Sequence, residues 1–238
     1  MTTLHYHGHS TFTVKTGPHT LLIDPFFTEN PKADVAAETI TPTKILVTHG
    51  HFDHVGHVSS NEDRCQTDLE DIARRADCQV ICGFEIAQWL GGKGIPAHGM
   101  GPGGAHKFDF GTVIMTPAVH SSMLPDGSDG GVAAGYVLRL EDATLYFAGD
   151  TALFSDMALI GEEEPDVAVL PIGDNFTMGP FDAARAAGLL KAPKVVPCHY
   201  ETWPLLEVDV DAFTKQCGVF GHEPVLMTPG QAIEVGRG

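Results

Sequence analysis

Four histidines and one aspartate fall within nine residues of this chain, in Thr48-His49-Gly50-His51-Phe52-Asp53-His54-Val55-Gly56-His57. Neutral imidazoles and carboxylates are the usual protein ligands of zinc and related divalent ions. In extended chain alternate side chains share a side, so His49, His51 and Asp53 are expected to converge while His54 faces elsewhere. One stretch could then serve two cations, with His49 and His51 gripping one and Asp53 and His54 the other. Gly50 and Gly56 supply backbone freedom for the turns of such a loop. A solvated, His-rich surface loop has no need of this spacing.

The elements that must position this cluster come next. It follows the apolar run Lys44-Ile45-Leu46-Val47, read as a strand over 44–48. Three later ligand-type residues also end strand-like runs: His120 after Val113 to Val119, Asp150 after Leu145 to Gly149, and His199 after Val195 to Cys198. Strand ends feed the loops where function concentrates. Taken singly, each could serve capping or core packing. Taken together, His120 completes one site with His49 and His51, His199 completes the other with Asp53 and His54, and Asp150 bridges the two ions.

The remaining pattern reads as strands at 3–7, 11–16, 20–23, 79–82, 106–110, 112–119, 132–140, 144–149, 166–171, 194–197, 224–227 and 231–235. Helices are expected at 67–76, opened by a Thr67-x-x-Glu70 capping box, and near 84–90, 153–160, 181–190 and 209–216. A strand-rich and then helical order occurs twice, which layers as two packed sheets with helices outside. With no linker or charge run to mark a boundary, residues 1–238 are expected to form one domain. Gly99-Met100-Gly101-Pro102-Gly103-Gly104 fits G-x-G-x-x-G formally, but Pro102 removes an amide and a strand follows, so it reads as a loop rather than a nucleotide site. Ser121 to Gly131 reads as a flexible loop of undefined role.

His49-x-His51-x-Asp53-His54, His120, Gly149-Asp150-Thr151 and His199 together resemble the metallo-β-lactamase superfamily. The likeness is nearest to the UPF0173 family of small metal-dependent hydrolases. It extends through Gly8-His9-Ser10, Leu22-Ile23-Asp24-Pro25, the stretch from Pro171 to Gly179, and His199-Tyr200. The resemblance implies an α/β (α+β) fold, the four-layer αββα sandwich of two mixed sheets with helices on the outer faces, and a site at one sheet edge. It also implies two divalent metal ions, zinc first, with manganese, iron, cobalt or nickel compatible. Where that family is expected to carry His-Tyr-Asn-Thr, this chain has His199-Tyr200-Glu201-Thr202, which could alter substrate preference without touching the ligands. His9 is expected to face the pocket, Asn175 and Met178 to line it, and Asp24 to orient a ligand histidine from behind. Asp53 is expected both to ligate and to orient the attacking water, as the residue nearest to a general base. His57 is assigned to the loop or to an outer contact, and Cys198 to the core. Ser121 and Ser122 lack a separate base and are not read as nucleophiles.

Composition narrows the partners. Fourteen basic against 31 acidic side chains give a formal charge of −17. That opposes a broad nucleic-acid or anionic-membrane surface, so a small-molecule substrate is expected, and a nuclease or phosphodiesterase acting on nucleic acid is the runner-up. A metal-binding protein without turnover is the alternative from another class. Five cysteines without a C-x-x-C pair read as reduced thiols. With no signal-peptide pattern and no apolar run of membrane-spanning length, the expectation is a cytoplasmic protein, compatible with a homo-oligomer.

Overall fold

The computed structural model describes residues 1–56, 58–61 and 64–236, and the side chains of 58–61 and 64–65 are left aside. His57 lies outside the described residues. The first half of the chain forms β1 (Thr2–Gly8), β2 (Thr11–Thr16), β3 (His19–Ile23), β4 (Lys44–Leu46), the single turn α1 (Phe52–Val55), the hairpin strands β5 (Val58–Asn61) and β6 (Arg64–Gln66), α2 (Asp68–Ala76), β7 (Gln79–Gly83), α3 (Phe84–Gly92) and β8 (Ala97–Met100). The second half forms β9 (Ala105–Phe108), β10 (Gly111–Pro117), β11 (Ala134–Arg139), β12 (Thr144–Phe147), α4 (Met157–Ile160), β13 (Val167–Pro171), α5 (Pro180–Leu190), β14 (Lys194–Cys198), α6 (Val210–Val219), β15 (Glu223–Pro224) and β16 (Ala232–Val235).

Two seven-stranded sheets result, ordered β16-β1-β2-β3-β4-β7-β8 and β15-β14-β13-β12-β11-β10-β9. Each is antiparallel through its early strands and parallel through its late ones: β3 to β4 and β12 to β13 are parallel pairs. Parallel neighbours need crossovers, and the crossovers put helices on the sheet faces. Alternation along β1 shows the result, because Leu4 and Tyr6 enter the layer between the sheets and meet Phe12, Tyr136 and Phe147 there. A second apolar layer lies between β11–β14 and α4, α5 and α6. Ala183, Ala184, Ala186 and Ala187 bring α5 close to that sheet. A third joins Ile45, Val80 and Cys82 to Leu69 and Ile72 of α2 and Ile86 and Leu90 of α3. Four layers, αββα, are the architecture the resemblance implied. Each fully buried Leu, Ile or Phe contributes about 1.5–3 kcal/mol to such layers.

Several boundaries differ from the sequence reading. The expected 153–160 helix shrinks to α4, because Ala152 N–H donates to Val119 O and Thr151 O accepts from Met178 N–H, which holds the preceding chain outside helical geometry. Residues 97–100, for which the sequence predicts no strand and whose Gly99-Met100 reads as loop, pair with β7 as β8. Gly99 to Gly104 therefore ends a strand and turns into β9, with no helix after it. The capping box is present: Thr67 Oγ1 accepts from Glu70 N–H at 3.2 Å, a cap worth about 1 kcal/mol. Among the described residues no helix is long and apolar enough to cross a membrane.

Candidate metal centre

The ends of the two sheets meet along one seam, and two backbone hydrogen bonds cross it. Ala134 N–H donates to Thr48 O at 3.0 Å, and His199 N–H donates to His9 O at 2.9 Å. Tyr136 adds a third tie, its hydroxyl donating to Val47 O at 2.7 Å. Each bond fixes a residue beside one of the ligand-type side chains, so the seam brings together side chains remote in sequence.

Asp150 lies at the centre. Its carboxylate is 3.0 Å from His199 Nε2, 3.4 Å from His54 Nε2, 3.7 Å from His120 Nε2 and 4.0 Å from His49 Nε2. His51 joins through Nδ1, 3.1 Å from His49 Nε2. Asp53 Oδ2 is 3.5 Å from His199 Nε2. The donors form overlapping groups: His49, His51 and His120; His49, His54 and Asp150; and His9, Asp53, His54 and His199. All seven residues read from the sequence as ligands therefore come together.

How they come together departs from the extended-chain argument. Phe52 to Val55 is a helical turn with His51 at its N-cap, so Asp53 and His54 project from neighbouring helical positions rather than alternating strand positions. Gly56 does turn in the left-handed region (φ 71°), whereas Gly50 does not.

A hydrogen-bond chain behind the cluster sets which ring nitrogens face inward. Asp24 Oδ1 accepts from Thr48 N–H at 2.8 Å, and its Oδ2 accepts from Thr48 Oγ1 at 2.7 Å and from His54 Nδ1 at 2.8 Å. Thr48 Oγ1, having donated to Asp24, accepts from His49 Nδ1 at 3.0 Å. One buried carboxylate thus turns Nε2 of both His49 and His54 inward, towards Asp150, which puts Asp24 behind two candidate ligands.

His9 lies against the donor cluster. It is fully buried, with Nε2 3.1 Å from Asp53 Oδ2 and Nδ1 2.7 Å from Thr202 Oγ1, and its ring lies 4.2 Å from that of His199. It braces Asp53 from within. Met178 is corrected: it is buried in the apolar layer under α5, because its backbone is held to Thr151 and Asp174 on the inner side of its loop. Asn175 is exposed on that loop. Cys198 faces the core as expected, since its neighbour His199 turns the other way. Ser121 Oγ lies 3.3 Å from His51 Nε2 and Ser122 Oγ accepts from Gly50 N–H at 3.1 Å, so both serine hydroxyls support the ligand loop. Thr48, Thr202 and Ser121 are the supporting residues that the sequence left unmarked.

The electrostatics divide the cluster. Burial, reinforced by neighbouring imidazoles, pushes His49 well below the usual histidine value, and burial lowers His51 and His120 as well. Burial also drives His9 down to about 4. For His54 burial acts downward too, but Asp150 and Asp24 outweigh it and hold the ring well above its usual value. His199 goes up to about 9 against the same burial, chiefly through Asp150. Asp53 and Asp150, despite burial, are held well below the carboxylate range, Asp53 by hydrogen bonds from His199 and His9 and Asp150 by the charges of His199 and His54.

The donor set fits divalent cations on two counts. His54 Nε2 and Asp150 Oδ1 are buried without a hydrogen-bond partner, a costly state that a cation between them relieves. The inward atoms are imidazole nitrogens and carboxylate oxygens, which suits zinc and its first-row neighbours. The backbone is also shaped for this purpose, with His9, Asp24 and His199 all at positive φ (55°, 48° and 56°). For residues other than glycine that conformation is uncommon, and it concentrates at functional sites.

A family model described as Beta-lactamase superfamily domain matches residues 19–200. Over 236 residues the chain is 46% identical to the UPF0173 metal-dependent hydrolase YtkL of Bacillus subtilis, covering 97% of this chain and 98% of that protein. It is 48% identical over 235 residues to a UPF0173 metal-dependent hydrolase of Bacillus licheniformis, covering 96% and 97%. Among solved structures it is similar to Igni18, a metallo hydrolase from the hyperthermophilic archaeon Ignicoccus hospitalis. The TM-score is 0.86 at 33% identity, and the match covers 98% of this chain and 97% of that one.

Proposed function

Because this chain belongs to the UPF0173 family of metal-dependent hydrolases in the β-lactamase superfamily, we propose that it hydrolyses a small ester, lactone or phosphodiester with two divalent cations. His49, His51 and His120 would hold one cation, Asp53, His54 and His199 the other, with Asp150 shared, and zinc suits this set best. When bound, such cations supply Lewis acidity and bring the pKa of a coordinated water towards ~7. The observation that carries the reading is the convergence of both donor groups on one central carboxylate, Asp150.

The chain's own residues then have defined tasks. Asp24, through Thr48 and His54, holds two imidazoles in the tautomer that presents Nε2 inward. Asp53 spends Oδ2 on His9 and His199, leaving Oδ1 with acceptor capacity to orient an attacking water. His9, kept neutral by burial, donates from Nε2 to Asp53 when Thr202 Oγ1 donates to its Nδ1. It is a positioning residue.

Elemental analysis paired with turnover of a generic lactone and phosphodiester tests the reading. Two ions per chain are expected, with His51→Ala losing one and His199→Ala the other, and turnover falling with either. Two tightly retained ions in both variants would overturn the ligand assignment. Turnover that persists after chelators have stripped the metal would overturn the mechanism.

A further inference from the structure

Beside the candidate metal centre lies a cleft of about 330 Å³, lined by Glu29, His51, Phe52, Met123, Leu124 and Pro125. His51 belongs to both, so whatever fills the cleft abuts the cation-binding group. The volume sits at the lower edge of small-molecule sites. Four of the six wall residues are apolar, no lysine or arginine is among them, and beside the neutral His51 the one charge is the exposed carboxylate of Glu29. We propose that the substrate's body is an uncharged alkyl or aryl group lying in this cleft. Resting on the hydrolase reading above, this selects substrates whose body beyond the reacting ester, lactone or phosphodiester group carries no charge.

The walls are built before any ligand arrives. Phe52 is half exposed, yet its ring is backed by Phe26 and Trp203 at centroid distances of 6.2 and 5.8 Å. Phe26 and Trp203 stand 5.9 Å apart, closing an aromatic triad. The opposite wall is the 121–131 segment, whose role the sequence left open. Its Leu124 is buried in the layer with α2 and α3. Met123 bridges Asp129, and Leu124 N–H donates to Ser128 O at 2.9 Å. Asp126 accepts from Trp89 Nε1 of α3 at 2.6 Å. Leu124 anchors while Met123, 60% exposed, is offered to the cleft. Met123 and Phe52, 60% and 50% exposed, face one cleft together, and apolar side chains grouped in this way mark a binding surface where a lone exposed residue would not. An anionic body would lose its hydration to this wall and meet the Glu29 carboxylate, with no lysine or arginine lining the cleft to offset it.

The test uses the metal-loaded protein and two readouts. In the first, calorimetry compares octanamide with acetamide, both neutral, on the native chain, Met123→Lys and Met123→Ser. Octanamide should bind at least about tenfold tighter, from burial of part of its chain, and Met123→Lys should bring the two amides to within about twofold. Met123→Ser should fall between them, with thermal melting checking the fold of each variant. In the second, kcat/KM is measured for p-nitrophenyl octanoate, p-nitrophenyl acetate and bis(p-nitrophenyl) phosphate, and the octanoate-to-acetate ratio should follow the binding series. Equal binding of the two amides, a preference untouched by Met123→Lys, or an octanoate-to-acetate ratio that does not follow the binding series would overturn the proposal. Selective octanamide binding without hydrolysis of any ester would instead overturn the hydrolase reading and leave the cleft's preference for neutral chains standing.

Discussion

On one side of Asp150 the imidazoles carry protons where a cation would sit, and on the other they do not. His54 and His199 are buried between carboxylates, Asp24 and Asp150 in one case and Asp53 and Asp150 in the other, and both are held above the usual histidine value. His51 and His120 are only half buried, His49 is buried among other rings, and all three are lowered. The first group is a built interior in which two imidazoliums face three carboxylates. The second is already in the neutral form that ligation requires, and beyond the Thr48 hydroxyl behind His49 its outer support is a single serine hydroxyl on His51. The same metal chemistry should therefore be installed with different costs on the two sides: proton release on the buried side, ordering on the open side.

The largest break in this comparison should come from Asp24→Asn. The carboxylate accepts three hydrogen bonds and fixes the inward nitrogens of both His49 and His54. An amide cannot accept equally on both arms, so His54 or Thr48 loses its partner inside the protein. Loss of an outer partner of this kind costs about 10–100-fold in metal affinity. Competition against a chromophoric chelator reads that loss directly, and an unchanged affinity would mean that Asp24 does not orient the ligands.

Protons sharpen the contrast next. In metal-free protein the folded-state value of His199, about 9, lies above the ordinary histidine value of 6.5. A raised histidine contributes stability that is complete below the unfolded value and is lost as pH rises through the folded one. The metal-free melting temperature should therefore fall between about pH 6.5 and 9. Metal-loaded protein, with His199 already neutral, should lack that fall and should lose metal and activity together on acidification. Melting curves with and without chelator, taken across that range, check both directions. Parallel curves would remove the distinction between a proton-holding and a proton-free side.

The donor types and their spacing were legible from the chain, as were the strand ends that carry His120, Asp150 and His199. Less legible was what depends on backbone geometry and long-range closure. Nothing in Phe52-Asp53-His54-Val55 announces a single helical turn, since four residues are too few for periodicity to register. Left-handed His9, Asp24 and His199 contradict local preference and persist only because the seam over-determines them. His9 and Thr202 are 193 residues apart, and no local pattern could join them. The misplaced Met178 has a plainer cause: a residue on a loop after a strand can face inward as readily as outward, and here the layer under α5 takes it.

The smallest effect is expected at Ser121. Its hydroxyl lies 3.3 Å from His51 Nε2, at the surface, and water can replace it when it is removed. Ser121→Ala should weaken metal binding by about threefold or less, within the 0.5–1.5 kcal/mol that a typical hydrogen bond contributes. That is far below the loss at Asp24, although both residues hold the far nitrogen of a candidate ligand. The same chelator competition, run on both variants side by side, makes the comparison quantitative. A loss at Ser121 equal to that at Asp24 would show that the open side is as tightly specified as the buried one, and that the exposed edge of the cleft sets how firmly the cations are held no less than the buried carboxylate behind it.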